Sequence, residues 1–209
     1  MTDFRYLKFG TTDPSAPLII LLHGRGANEA SLSGLASSLD SKYRIISLRG
    51  PIELSQNSYT WFENRGIGRP IPDSLRLSLE WFYQFINVEN PQKRPVVIVG
   101  FSGGAAFAGA LALDKRLPLT GVAILYGTVP FDAGLAIEKG SLKGLDVFVA
   151  QGNNDTVMPI DLMTRTWNYL LEDSDANVES NRSNGGHEIT PEVASKLSDW
   201  IKNIISSKN

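Results

Sequence analysis

The 209-residue chain predicts an α/β protein with a mostly parallel central sheet and helices on both faces. Three observations predict it. Short apolar runs alternate with stretches of helical periodicity along the whole chain. Two of those runs, residues 18–22 (LIILL) and 96–99 (VVIV), are unbroken, as strands buried on both faces require. The segment 94–114, RPVVIVGFSGGAAFAGALALD, then passes from a β-branched run straight into small, helix-tolerant residues, with Ser102 at the corner.

In chain order, residues 4–9 alternate as a half-buried edge strand does, and 11–17 form a turn-rich connection. Strand 18–22 ends in the glycine-bracketed His23-Gly24-Arg25-Gly26. A helix is expected over 28–39, capped by Asn28, with Leu32, Leu35, Ala36 and Leu39 as its apolar stripe. Residues 43–48 form a third strand, and 49–72 make the longest irregular segment, which holds Trp61 and Phe62. Long loops in compact domains are more often functional than idle. Asp73 caps the next helix, whose Leu75, Leu79, Phe82 and Ile86 fall at spacings of 4, 3 and 4 and read as core. Residues 121–126 and 145–150 are further buried strands, 161–171 a helix facing inward through Met163, Trp167 and Leu170, and 177–182 a weaker strand. Thr190, Pro191 and Glu192 supply cap, first-turn proline and first-turn acid to the last helix, which buries Val193, Leu197, Trp200 and Ile204.

The chain reads as one domain, 1–209. It has no cysteine, which excludes disulfides, thiolate metal sites and a cysteine nucleophile. Its two histidines, His23 and His187, lie far apart in sequence, so no metal is expected, nor any organic cofactor. With 20 basic and 22 acidic residues and no basic run, the electrostatic footprint of a nucleic-acid binder is missing. The opening MTDFRYLKFG has no apolar run behind a basic segment, and no stretch reaches the roughly 18 apolar residues of a membrane span. A cytoplasmic protein without an integral membrane segment is expected. A homodimer is compatible with this reading.

Gly100-Phe101-Ser102-Gly103-Gly104 has the G-x-S-x-G form of a nucleophile elbow. A turn this tight strains the serine backbone and brings helix close to strand, so only glycine fits two residues to either side. Serine needs a base, and the base needs a carboxylate to hold its tautomer. His187, in SNGGHE, is the only histidine downstream of Ser102. For the acid, Asp155 in the loop QGNNDTVMP lies just past a strand end; Asp146, Asp161 and Glu188 are the alternatives, less well placed. The N–H groups of Gly103 and Arg25 are the expected oxyanion donors, and His23 is read as shaping the loop that carries Arg25.

On these motifs the chain resembles the phospholipase/carboxylesterase branch of the α/β-hydrolases, over nearly its whole length. LLHGRGAN is similar to that family's L-H-G-x-G loop, Trp61-Phe62 to its W-F segment, GFSGGAAFA to G-F-S-Q-G-G, QGNNDTVMP to H-G-x-x-D-x-V-V-P, and GGHEI to G-x-H. The resemblance implies Ser102 as nucleophile, Asp155 and His187 as its partners, and the Arg25 and Gly103 N–H groups as oxyanion hole. Gly103 stands where the family has glutamine, and Gln151 where it often has histidine, so substrate preference does not carry over. The expected activity is hydrolysis of a small-molecule carboxylic ester through an acyl-serine. Thioesters or lysophospholipids are the nearest alternatives, and a non-catalytic binding protein on the same scaffold is the rival of another class.

Lids in this superfamily commonly follow the strand after the elbow helix. Here residues 127–144, eighteen in all, are too few for a multi-helix cap. An α/β-hydrolase without a large cap domain is therefore expected, its open site walled by Trp61, Phe62, Phe131 and Met158. For Trp61 the other role, pinning its loop to the body, remains open.

Overall fold

The computed structural model describes residues 4–207. Among the described residues nine strands form: β1 (Tyr6–Gly10), β2 (Leu18–Leu22), β3 (Arg44–Leu48), β4 (Ile52–Ser55), β5 (Ser58–Thr60), β6 (Val96–Phe101), β7 (Gly121–Leu125), β8 (Asp146–Gly152) and β9 (Asn177–Ser183). The helices are α1 (Ser33–Ser38), α2 (Pro72–Glu89), α3 (Gly103–Asp114), α4 (Ile160–Asn168) and α5 (Pro191–Ser206). Seven strands make one sheet in the order β1-β3-β2-β6-β7-β8-β9, with only the edge strand β1 antiparallel to its neighbour.

Every residue of β2 and β7 is buried, and alternate side chains feed two cores. Leu18, Ile20 and Leu22 of β2 join Ile98, Ile124 and Val149 under α2, α3 and α4. Ile19 and Leu21 join Val97, Val99, Leu125 and Phe148 under α1 and α5. This is the doubly covered parallel sheet that continuous apolar strands require. No regular helix forms over 127–144, so the fold has no large cap.

The elements depart from expectation at four places. Instead of a helix from Asn28, turns run to Leu32 and only Ser33–Ser38 is helical. Asn28 Oδ1 accepts the Ala30 N–H at 2.9 Å, a local side-chain bond that competes with helix formation. The irregular stretch 49–72 contains the hairpin β4–β5, turned at Asn57 with φ 59°. Asparagine tolerates that left-handed geometry better than most residues. Asp73 is not the cap of α2 but lies in its first turn, because Pro72 occupies the first turn as well and Ile71 precedes it. The helix expected over 161–171 starts at Ile160 and ends in a π-helical turn, Tyr169–Asp173. By contrast Thr190 caps α5 as expected, accepting the Val193 N–H.

The elbow sits at the centre of the sheet, where α3 crosses β2 and β6 with no room for side chains. A Cβ on Gly100 would overlap the Gly104 carbonyl oxygen, and one on Gly104 would overlap that of Leu22. Gly104→Ala should therefore lower the unfolding free energy by about 1–3 kcal/mol or more, as overpacking does. Gly34→Ala, in α1 with nothing within 4 Å of the added methyl, should be neutral or stabilising by up to about 1 kcal/mol. Urea midpoints of the two variants check the contrast; equal losses would show that close approach at the elbow is not what demands glycine.

Candidate active site

Ser102 leaves β6 with φ 54° and ψ −116°, a sparsely populated conformation. It is held there by its N–H, which donates to the Leu125 carbonyl at 2.9 Å, and by its carbonyl, which accepts the Ala105 N–H at 3.0 Å. Gly127, just past β7, completes the fit, since a Cβ on it would collide with Ala105 and the Ser102 carbonyl. The strained corner thus projects the Ser102 side chain at the carboxyl edge of the sheet.

Ser102 Oγ lies 2.9 Å from His187 Nε2, and His187 Nδ1 lies 2.8 Å from Asp155 Oδ2. Asp155 Oδ1 accepts the N–H groups of Val157 at 2.8 Å and Met158 at 3.1 Å. The Asp155 side chain is fully buried. Burial alone would raise its pKa, but the His187 hydrogen bond and the two N–H groups outweigh it and hold the carboxyl below the usual carboxylate range. An ionised carboxylate only accepts, so Nδ1 of His187 carries the proton and Nε2 is free to take one from Ser102. The two loops are joined: Asn154 donates to the Gly185 carbonyl through its N–H and to the Asn184 carbonyl through Nδ2. A Cβ on Gly152 would overlap the Gly186 carbonyl, which explains the glycine of QGNND. Of the other acids weighed, Asp146 pairs with Asn177 at the opposite end of β8, Asp161 opens α4, and Glu188 is exposed.

An ideal Cβ on Gly103 would lie 3.1 Å from the Arg25 N, so the two residues approach closely beside Ser102. Neither backbone N–H donates to an acceptor among the described residues. The loop carrying Arg25 is shaped by His23, which is fully buried. Its Nε2 accepts the Gly50 N–H at 3.0 Å, which leaves Nδ1 protonated to donate to the Gly24 carbonyl at 2.7 Å. The hairpin β4–β5 braces the same loop. Gly26 donates to the Tyr59 carbonyl, Tyr59 donates to that of Ala27, and Arg49 stacks on Tyr59 while pairing in bidentate fashion with Glu29. Sequence reasoning missed this brace because 49–72 carries no strong strand periodicity.

Two cavities meet at Ser102. The smaller, about 260 Å³, has Phe62 and Met158 on its wall, together with Ile67, Arg69 and Pro130, which sequence reasoning did not identify. The larger, about 790 Å³, is lined by His187 and by apolar residues such as Leu35, Phe101 and Ile189. Trp61 lines neither. It is fully buried, stacked on Phe107 at 5.2 Å, and its Nε1–H donates to the His23 carbonyl at 2.7 Å, so it pins the loop to the body. A buried indole N–H needs an acceptor, and His23 supplies it. Phe131 is also away from Ser102. The turn closed by its N–H on the Val129 carbonyl sends it toward α4, where it packs on Tyr169 under the Arg165 guanidinium.

A central sheet in this order, with a serine elbow and an acid–histidine pair at its carboxyl edge, defines an α/β-hydrolase. The chain belongs to the phospholipase/carboxylesterase family, whose model matches residues 10–205. It is 28% identical over 200 residues to the putative hydrolase MhqD of Bacillus subtilis (94% of this chain, 96% of the relative). It is 26% identical to acyl-protein thioesterase 1 of Mycosarcoma maydis, with 93% of each chain covered. Among solved structures, the Bacillus cereus carboxylesterase superposes with a TM-score of 0.81 at 27% identity, covering 96% of this chain and 94% of that one.

Burial pushes the His23 imidazole below its ordinary pKa of 6.5. The folded state keeps it neutral while the unfolded chain takes up a proton as pH falls below about 6.5. Its contribution to stability is therefore complete above that pH and is lost as pH falls below it. Urea unfolding at pH 7.5, 6.5 and 5.5 should show a steeper loss for wild type than for His23→Gln, which starts about 1–3 kcal/mol lower because a buried partner goes unsatisfied. Parallel slopes would remove His23 from the pH dependence.

Proposed function

We propose that the protein is a serine carboxylesterase that hydrolyses small-molecule carboxylic esters through an acyl-enzyme on Ser102. The observation that carries this reading is the unbroken row Ser102 Oγ, His187 Nε2, His187 Nδ1 and Asp155 Oδ2, with successive distances of 2.9 and 2.8 Å across the imidazole. His187 Nε2 takes the Ser102 proton as Oγ attacks the ester carbonyl. The resulting oxyanion is received by the N–H groups of Arg25 and Gly103, which are fixed before the charge develops. Collapse breaks the acyl–alkoxy bond as His187 returns the proton to the departing alcohol. Water then attacks the acyl-serine by the same route, releasing the acid. Asp155, held ionised, stabilises the imidazolium and its orientation throughout. The relative named as an acyl-protein thioesterase supports a thioester reading of the same site, since a thiolate is a better leaving group than an alkoxide. We further infer a single domain and a cytoplasmic setting; among the described residues no helix is long and apolar enough to cross a membrane.

Ser102→Ala should abolish covalent labelling by a fluorophosphonate and lower ester turnover by about 10⁴–10⁶, with His187→Ala close behind and Asp155→Asn losing about 10⁴. Purified, folded variants assayed on a 4-nitrophenyl ester check this. Near wild-type turnover in the alanine variant would sink the nucleophile assignment. A wild-type chain that neither labels nor hydrolyses esters or thioesters would be a binding protein on this scaffold. Because no cap must open, turnover should also rise smoothly with substrate concentration, and a jump at the micellar threshold would show an unexpected interfacial gate.

A further inference from the structure

The two cavities at Ser102 differ in charge as well as size. Resting on the proposed ester hydrolysis, we propose that the smaller cavity takes an acyl group ending in a carboxylate, so that the substrate class is half-esters of short dicarboxylic acids. The direction of binding follows from proton transfer. The departing alkoxy oxygen must reach His187 Nε2, and His187 lines the larger cavity and not the smaller. The alcohol therefore lies in the larger cavity and the acyl group in the smaller, beside Gly103.

The smaller cavity is lined by two arginines, Arg25 and Arg69, and by no aspartate or glutamate. Neither guanidinium has an ion-pair partner among the described residues. Elsewhere Arg44, Arg49, Arg76, Arg116 and Arg165 each meet a carboxylate. Arg69 is also fixed in place. Its N–H donates to the Gly66 carbonyl, its carbonyl accepts the Arg65 N–H, and Pro70 bridges to Asn64. Gly68 beside it lies so close to Leu162 of α4 that a Cβ would overlap that side chain. The lining also includes the apolar Phe62, Ile67 and Met158, which suit methylenes, beside the small polar Thr60, Asn64 and Thr128. The volume of about 260 Å³, against about 790 Å³ on the alcohol side, suits a short acyl group. Arg25 lines the larger cavity too, but there Glu188 offsets it, whereas the smaller cavity has Arg69 in addition and no acid, so an anion is favoured on the acyl side. In the reaction water adds to the carbonyl, the acyl–alkoxy bond breaks, the alcohol leaves with a proton, and the dicarboxylate is released.

The test compares kcat/KM of the full chain for monoethyl succinate, glutarate and adipate with ethyl butanoate, pentanoate and hexanoate. A butanoyl ester of glycolate, with the anion on the alcohol side, completes the set. Half-esters should be preferred about threefold to tenfold at low salt, the scale of partly exposed charge-assisted contacts. The preference should fall toward unity in 1 M NaCl, where screening acts over about 3 Å. Arg69→Gln should reduce the ratio of half-ester to neutral-ester kcat/KM, mainly through the KM of the half-ester, and Arg69→Lys should restore part of it. Equal rates for both series, a ratio unchanged in Arg69→Gln, or a preference for the glycolate ester would overturn the inference while leaving ester hydrolysis standing. Failure to turn over any ester, together with absence of fluorophosphonate labelling, would overturn the hydrolase reading on which it rests.

Discussion

The contact on which the site depends is backbone against backbone: the first turn of α3 lies directly on β2 and β6. Gly100, Gly104 and Gly127 have no space for a Cβ, each facing a carbonyl oxygen of a neighbouring element. That approach has two consequences. It forces Ser102 into φ 54°, a conformation that costs on the order of 1–3 kcal/mol and persists only where packing over-determines it. It also brings Gly103 against Arg25 just past the end of β2. The rest of α3 offsets the strain by burial; Phe107, Ala108, Ala110 and Leu111 have no exposed surface. Its small side chains are what lets a helix sink so far into a sheet.

The site is then assembled from four strand ends, in two separately braced halves. The half that carries Arg25 follows β2 and is held by the His23 imidazole, the Trp61 indole and the β4–β5 hairpin. The half that carries Asp155 and His187 follows β8 and β9 and is held by the Asn154 bonds and the close approach of Gly152 to Gly186. Ser102, at the end of β6 between them, belongs to both. Most of these braces are neutral hydrogen bonds to backbone, which orient loops without long-range fields. The Arg49–Glu29 pair is the exception, and its side chains are 25% and 15% exposed, so it acts more through bidentate geometry than through net energy.

What could be read from sequence follows from which forces are local. The buried strands announce themselves because a strand covered on both faces must be apolar throughout, and α5 because its cap, proline and acid are consecutive. The elbow is legible because its glycines answer a steric demand within five residues. His187 could be singled out only because the chain has one other histidine. The hairpin β4–β5 could not, since Glu53, Ser55 and Ser58 give no alternation, and it forms by pairing with the loop at Ala27 and Tyr59. The fate of Trp61 was undecidable for a similar reason: an indole suits a groove or a core equally, and the choice was made by a carbonyl 38 residues away in sequence. Phe131 was misplaced because a three-residue turn and the Arg165 cation, not its position after β7, set its direction. Arg69 sits in RGIGRP, where glycine-rich composition conceals that the segment is docked on Leu162.

Gly103 connects the steric constraint to selectivity. Where the resembling family has glutamine, this chain has no side chain, and even a single Cβ there would stand 3.1 Å from the Arg25 N and 3.2 Å from its Cβ. Such a group would need Arg25 to give by a few tenths of an ångström, moving the N–H proposed to meet the oxyanion. Glycine leaves Arg25 where the His23 and hairpin braces put it. It also puts no side chain into the smaller cavity, which Ser102, Gly103 and Ala106 line together. The glycine beside Ser102 thus bears on two quantities at once, the placement of the Arg25 N–H and the width of the smaller cavity. The loss of the family side chain is therefore read as a change in what the site accepts, with the row Ser102, His187 and Asp155 intact beside it.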